Sequence, residues 1–150
     1  MAGLAAAASC GGDTEDHAGD ITTTGPLMRP GWNCLASGCH FPDKKPVPPD
    51  WGAAGTVFPG LDARATEGVP DVVVILRDGG GKEIRLVTNG VGNFYTAETF
   101  DGPIDVTLER EGRQIKMPTP APAGSCNFCH SVPPTNEEGF PKGRIFAPLR

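Results

Sequence analysis

Between Ala53 and Lys116 the chain repeats one pattern: a short run rich in Val, Ile, Thr and Leu, then a cluster of turn formers. Runs of this kind, ended about every ten residues by Gly, Asn or Asp, read as antiparallel strands. The candidate strands are Ala54–Phe58, Val72–Arg77, Glu83–Thr88, Asn93–Ala97 and Ile104–Arg110, with a shorter one at Arg113–Lys116. No segment sustains the apolar period of about 3.6 residues that marks an amphipathic helix. The pattern therefore predicts a mainly β fold with little helix, an antiparallel β-sandwich flanked by loop-rich segments. Asp78 and the three glycines after it predict a hairpin loop. Asn89-Gly90 predicts a tight turn with positive φ at both central positions. The run Val72–Leu76 is apolar on both faces, which predicts a central strand or one covered on each side.

At 150 residues the chain is about one domain long. Gly (21) and Pro (16) are abundant, but they punctuate the β runs and form no tracts. Aromatic residues are only 7% of the chain, so a bound prosthetic group could supply apolar mass that the side chains lack. The formal charge is -5, and Lys and Arg are scattered with no basic stripe, which argues against nucleic acid as a partner. A modest negative charge is the ordinary state of a soluble protein.

Residues 1–10 run through small and apolar positions into Cys10, followed by Gly11, Gly12 and Asp13. This resembles the tail of a bacterial lipoprotein signal. The resemblance implies cleavage before Cys10, a lipid on its thiol, and an exported protein anchored to a membrane in the periplasm or at the cell surface. Residues 1–9 are then a signal remnant and 10–27 a polar, flexible tether. Residues 28–150 form a single domain: a first cysteine segment (28–52), the β-sandwich (53–116) and a second cysteine segment (117–150). No stretch approaches the ~20 apolar residues of a membrane span.

Cys126-Asn127-Phe128-Cys129-His130 is the C-x-x-C-H haem attachment signature. The spacing has a chemical reason. Two thiols add across the two vinyl groups of haem, and the histidine beside the second thiol binds the iron. Cys34, Cys39 and His40 repeat the arrangement with four residues between the thiols. Met28, Pro30 and Gly31 precede the first unit, and Met117, Pro118 and Gly124 the second, as in a degenerate repeat. Of five cysteines, four belong to these units and the fifth is Cys10. The units bracket the strands, which predicts sites at opposite ends of the sandwich. Two other readings of the same residues stay open. Cys34–Cys39 and Cys126–Cys129 could be short disulfides, or the four cysteines, with or without His40 and His130, could hold zinc.

At these two segments the chain resembles exported bacterial multihaem cytochromes c. Between them, Gly55-Thr56-Val57, Val69–Leu76 and Thr88–Tyr95 resemble carboxypeptidase-regulatory-like or prealbumin-like β-sandwiches. The Gly92-Asn93-Phe94 turn and the closing Gly143-Arg144-Ile145 belong to the same likeness. The resemblance implies two covalently attached c-type haems and single-electron transfer between redox partner proteins, other multihaem cytochromes among them. It implies no catalytic residues, and no Ser/His/Asp set, P-loop or dinucleotide fingerprint competes with it. A haem sensor or enzyme with one open iron position is the alternative within haem chemistry. A non-haem interaction module with zinc or disulfides is the alternative outside it.

The chain has three histidines, His17, His40 and His130. Two haems with two histidine ligands each would need four, so at least one iron takes another sixth ligand or keeps an open position. Met28 and Met117 are the candidates, and thioether ligation suits electron transfer by raising the potential. His17 lies in the tether and reads as solvated. Trp32, Phe41, Trp51 and Phe128 are candidates to line haem pockets, and Arg144 to pair with a propionate.

Overall fold

The computed structural model describes residues 27–35, 40, 51–131 and 143–147. Among these residues seven strands form two sheets: β1 Ala53–Phe58, β2 Val73–Arg77, β3 Glu83–Val87, β4 Asn93–Thr96, β5 Asp105–Arg110, β6 Arg113–Lys116 and β7 Ile145–Phe146. One sheet has the order β4-β1-β7 and the other β3-β2-β5-β6. All pairings are antiparallel except β1 with β7, where Val57 opposes Ile145 and Phe58 opposes Phe146. The only α-helix among the described residues is a single turn, α1, Cys126–Cys129. The fold is mainly β, as the turn-punctuated runs predict, and all six expected strands form within a residue of their expected ends.

The two sheets face each other across one core. Ala53, Val57 and Phe94 from the first sheet pack with Val72, Val74, Leu76, Ile104 and Leu108 from the second or its flanks. Along β2 the side chains alternate between buried and half-buried until exposed Arg77. It is central, between β3 and β5, but its outer face is only half-covered. The strand covered on both faces is β1, all six of whose residues are buried. One of its faces looks into the core, where Gly55 backs onto Phe94 and Cys126. On the other, the Thr56 hydroxyl meets Gly31 and Asn127.

One turn differs from expectation. Neither Asn89 nor Gly90 has a positive φ; that conformation falls to Gly92, at +80°. The reason is topological: β3 and β4 lie in different sheets, so this loop crosses between layers and is not a tight hairpin. The Asn89 side chain organises the crossing by accepting from Val91 N and Asn93 N, both at 3.1 Å. The turn with two consecutive positive φ values is Glu111-Gly112, at 49° and 75°, which joins β5 to β6.

The loop after β2 is braced by the buried side chain of Asp78. Its Oδ1 accepts from Lys82 N at 2.9 Å and its Oδ2 from Asp101 N at 3.0 Å. These bonds, the one from Asp101 foremost, hold its carboxyl below the usual carboxylate range against the opposing effect of burial. A carboxyl with a lowered folded-state pKa stabilises the fold above its ordinary pKa of about 4, and that contribution is lost as pH falls. Asp78→Asn should therefore lower the urea midpoint at pH 7. The gap from the parent should narrow as the pH is taken down through the carboxylate range.

Candidate functional site

The second cysteine segment lies against β1. Ser125 forms a parallel bridge with Ala54, and Ala54 N donates to Gly124 O at 2.9 Å. The chain then makes the one turn of α1, closed by His130 N donating to Cys126 O at 3.0 Å. A three-residue offset on a helix puts Cys126 and Cys129 on one face. His130 caps the turn, and its Nδ1 donates to the Gly143 carbonyl at 3.1 Å. A carbonyl can only accept, so Nδ1 carries the proton in this contact; in a neutral ring so held, Nε2 keeps the lone pair that a metal uses.

Three buried polar side chains tie this segment to the first one. The Thr56 hydroxyl donates to Asn93 Oδ1 at 2.8 Å and accepts from Gly31 N at 2.8 Å and Asn127 Nδ2 at 3.0 Å. That fills its one donor and two acceptor positions. Asn127 also accepts from Thr56 N at 3.0 Å and donates to Trp32 O at 2.8 Å. Asn93 Nδ2 donates to Met28 O at 3.0 Å. Beside this hub, Ser125 Oγ donates to Asn33 Oδ1 at 2.7 Å. Residues next to Cys34 thus bond residues next to Cys126. The two units lie side by side on β1, not at opposite ends of the sandwich: the bracketing positions in the sequence are brought together by polar contacts to one strand.

In the first unit, His40 N donates to Cys34 O at 2.9 Å, which closes the loop between the first thiol and the histidine. The His40 ring lies 5.2 Å from that of Trp51, which lies 4.5 Å from Tyr95. Trp32 sits under the Arg29 guanidinium at 4.7 Å. Phe128 points outward and is 61% exposed. Cys10, His17, Cys39 and Phe41 lie outside the described residues. No helix among the described residues is long and apolar enough to cross a membrane.

Burial pushes the Cys34 thiol up to about 11. Cys126 is pushed up to about 12, by burial first and then by the nearby Cys34 and Cys129 thiols. Both are therefore protonated and weakly nucleophilic at neutral pH in the folded chain. Among the described residues, no three His, Cys, Asp or Glu side chains are grouped to hold a metal ion.

A cavity of about 560 Å³ opens beside the second unit, within the range of roughly 300–1,000 Å³ usual for cofactor sites. Cys126, Cys129 and His130 form one side, and Val106, Leu108 and Ile115 of β5 and β6 another. The Pro-rich stretch from Met117 to Ala123 also lines it. Its wall is thus apolar, holds both thiols and the imidazole of one attachment motif, and includes a thioether. That donor set and that volume fit a haem. Met28 is held elsewhere, through its carbonyl, by Asn93. Arg144 is 1% exposed, and its guanidinium reaches the carbonyls of Ala63 and Gly31. These contacts make it an internal tie, and Arg144 is also among the residues that line the cavity.

Thr56, Asn93 and Asn127 escaped sequence reasoning. The signal was there for two of them: Asn is a poor strand former, yet Asn93 opens β4, and Asn127 fills a spacer position that the attachment motif leaves unspecified.

Removing the hub should be costly, because each buried partner left without a hydrogen bond costs about 1–3 kcal/mol. Thr56→Val and Asn127→Leu should each destabilise by about that amount in urea unfolding. Their effects should be less than additive, since the two side chains share bonds. In unloaded protein at pH 8, Cys34 and Cys126 should react with iodoacetamide at least about a hundredfold more slowly in native buffer than in denaturant, given thiol pKa values raised by two or more units. No family model matches the chain, and no curated protein or solved structure matches it either.

Proposed function

We propose that the protein is a c-type cytochrome that carries single electrons between partner proteins. One haem is attached through Cys126 and Cys129 with His130 on the iron, and a second through Cys34 and Cys39 with His40. The observation that carries this reading is the cavity wall. It combines two thiols on one helical face, an imidazole held in the metal-binding tautomer, a thioether and an apolar surface.

Bound there, a haem supplies one-electron exchange at its iron; the rest is done by the chain. Cys126 and Cys129 tether the ring in one orientation. Gly143 holds the imidazole, and its hydrogen bond makes His130 a more basic ligand. Val106, Leu108 and Ile115 would keep water from a group held in the cavity. Met117 is the sixth-ligand candidate for this site, where a thioether raises the potential. Leu61 and Phe146, at 50% and 37% exposure, leave an apolar rim at which a partner's cofactor can come close. On this reading the protein is exported and held at a membrane through a lipid on Cys10.

The nearness of Cys34 to Cys126 favours one second reading, in which Cys34, Cys39, Cys126 and Cys129 jointly bind zinc as thiolates. Expression in a host with c-haem maturation separates the two. The haem reading expects Soret and α bands and an intact mass increased by two haems. Cys126→Ala/Cys129→Ala should lose one haem and Cys34→Ala/Cys39→Ala the other. Met117→Ala should lower the midpoint potential of the remaining second-unit haem. Colourless, folded protein containing one zinc per chain would overturn the haem reading.

A further inference from the structure

The carbonyl that holds His130 belongs to Gly143, and the next residue fixes it. Arg144 N donates to Leu61 O at 2.8 Å. The Arg144 side chain then runs inward, donating from Nε to Ala63 O at 3.3 Å and from a terminal nitrogen to Gly31 O at 3.4 Å. Its guanidinium carbon lies 4.5 Å from the centre of the Phe58 ring. A guanidinium stays charged at any accessible pH, so its bonds to the two carbonyls are charge-assisted and geometrically specific. Gly31 is part of the first cysteine segment, three positions before Cys34. It has φ of +81°, and a Cβ there would collide with the guanidinium and approach Phe58. The side chain that sets the Gly143 carbonyl is thus anchored in the opposite unit.

We infer that Arg144 is a positioning residue for His130. By clasping Gly31 and Ala63 it holds the Gly143 carbonyl where His130 Nδ1 donates, and so couples the first cysteine unit to the imidazole of the second. The purpose of the clasp rests on the haem reading; its geometry does not. Strengthening the Nδ1–H bond makes the ring a more basic ligand and favours the oxidised metal. Loosening the clasp therefore raises the potential.

The test is histidine-labelled nitrogen NMR of the whole chain, unloaded and haem-loaded, with His130 assigned by His130→Gln. In the unaltered protein the proton sits on Nδ1 and exchanges slowly with solvent. In Arg144→Lys and in Gly31→Ala that exchange becomes roughly tenfold faster, the size expected for losing one ordinary hydrogen bond. Both substitutions keep a positive charge at position 144, so the loaded variants show a higher midpoint potential for geometric reasons alone. The inference is overturned if the unaltered protein carries the proton on Nε2. It is overturned equally if either variant keeps the parent backbone spectrum and leaves both exchange and potential unchanged. The two variants alter opposite partners of the clasp, so one that fails to fold leaves the other to decide, and the tautomer decides without either. Absence of attached haem together with the exchange response removes the haem reading and keeps the clasp. Attached haem without the response removes the clasp alone.

Discussion

The hydroxyl of Thr56 is the contact on which the arrangement of this protein depends. It lies in β1, is completely buried, and has every hydrogen-bonding position filled by a group from a different part of the chain. A buried polar network is stable only when each member is satisfied, and then it specifies a unique geometry that an apolar core does not. The face of β1 with Ala53 and Val57 makes the sandwich core; Thr56, on the other face, sets how the two cysteine segments lie on the strand. Through Thr56 and Asn127 the two cysteine units are registered against each other to within a hydrogen-bond length.

The strands were legible because β-branched runs and turn residues act locally. Val74 and Leu76 alternate with half-buried neighbours, and Arg77 ends the run at an exposed salt bridge with Glu83. What was not legible depends on which sheet a strand joins. Asn89-Gly90 has the composition of a tight hairpin turn, but the flanking strands part into different layers, and the loop takes another shape. Two residues at Ile145–Phe146 are too short to show a period, so β7 could not be read; only pairing with β1 makes them a strand.

At the candidate site, the motif Cys126–His130 named in advance the two thiols and the imidazole that line the cavity, because they are neighbours in the chain. The surroundings were hidden. Nothing in the order of residues says that Gly31 meets Arg144, or that Asn33 meets Ser125, since each pair is far apart in the chain and joined only by the fold. The side-by-side placement of the units follows from those meetings. The same holds for Arg144, whose type suggested a carboxylate partner and whose observed partners are backbone carbonyls.

The parallel pairing of β7 with β1 has a consequence for how the molecule is made. Val57 and Ile145 lie far apart in the chain, so closure of a long loop precedes their contact. Arg144 arrives with β7, and the clasp on Gly31 has no anchor before then. Until β7 docks, the segment around Cys34 lacks this restraint, and an enzyme acting on the incompletely folded chain meets a Cys34 thiol less shielded than in the folded protein.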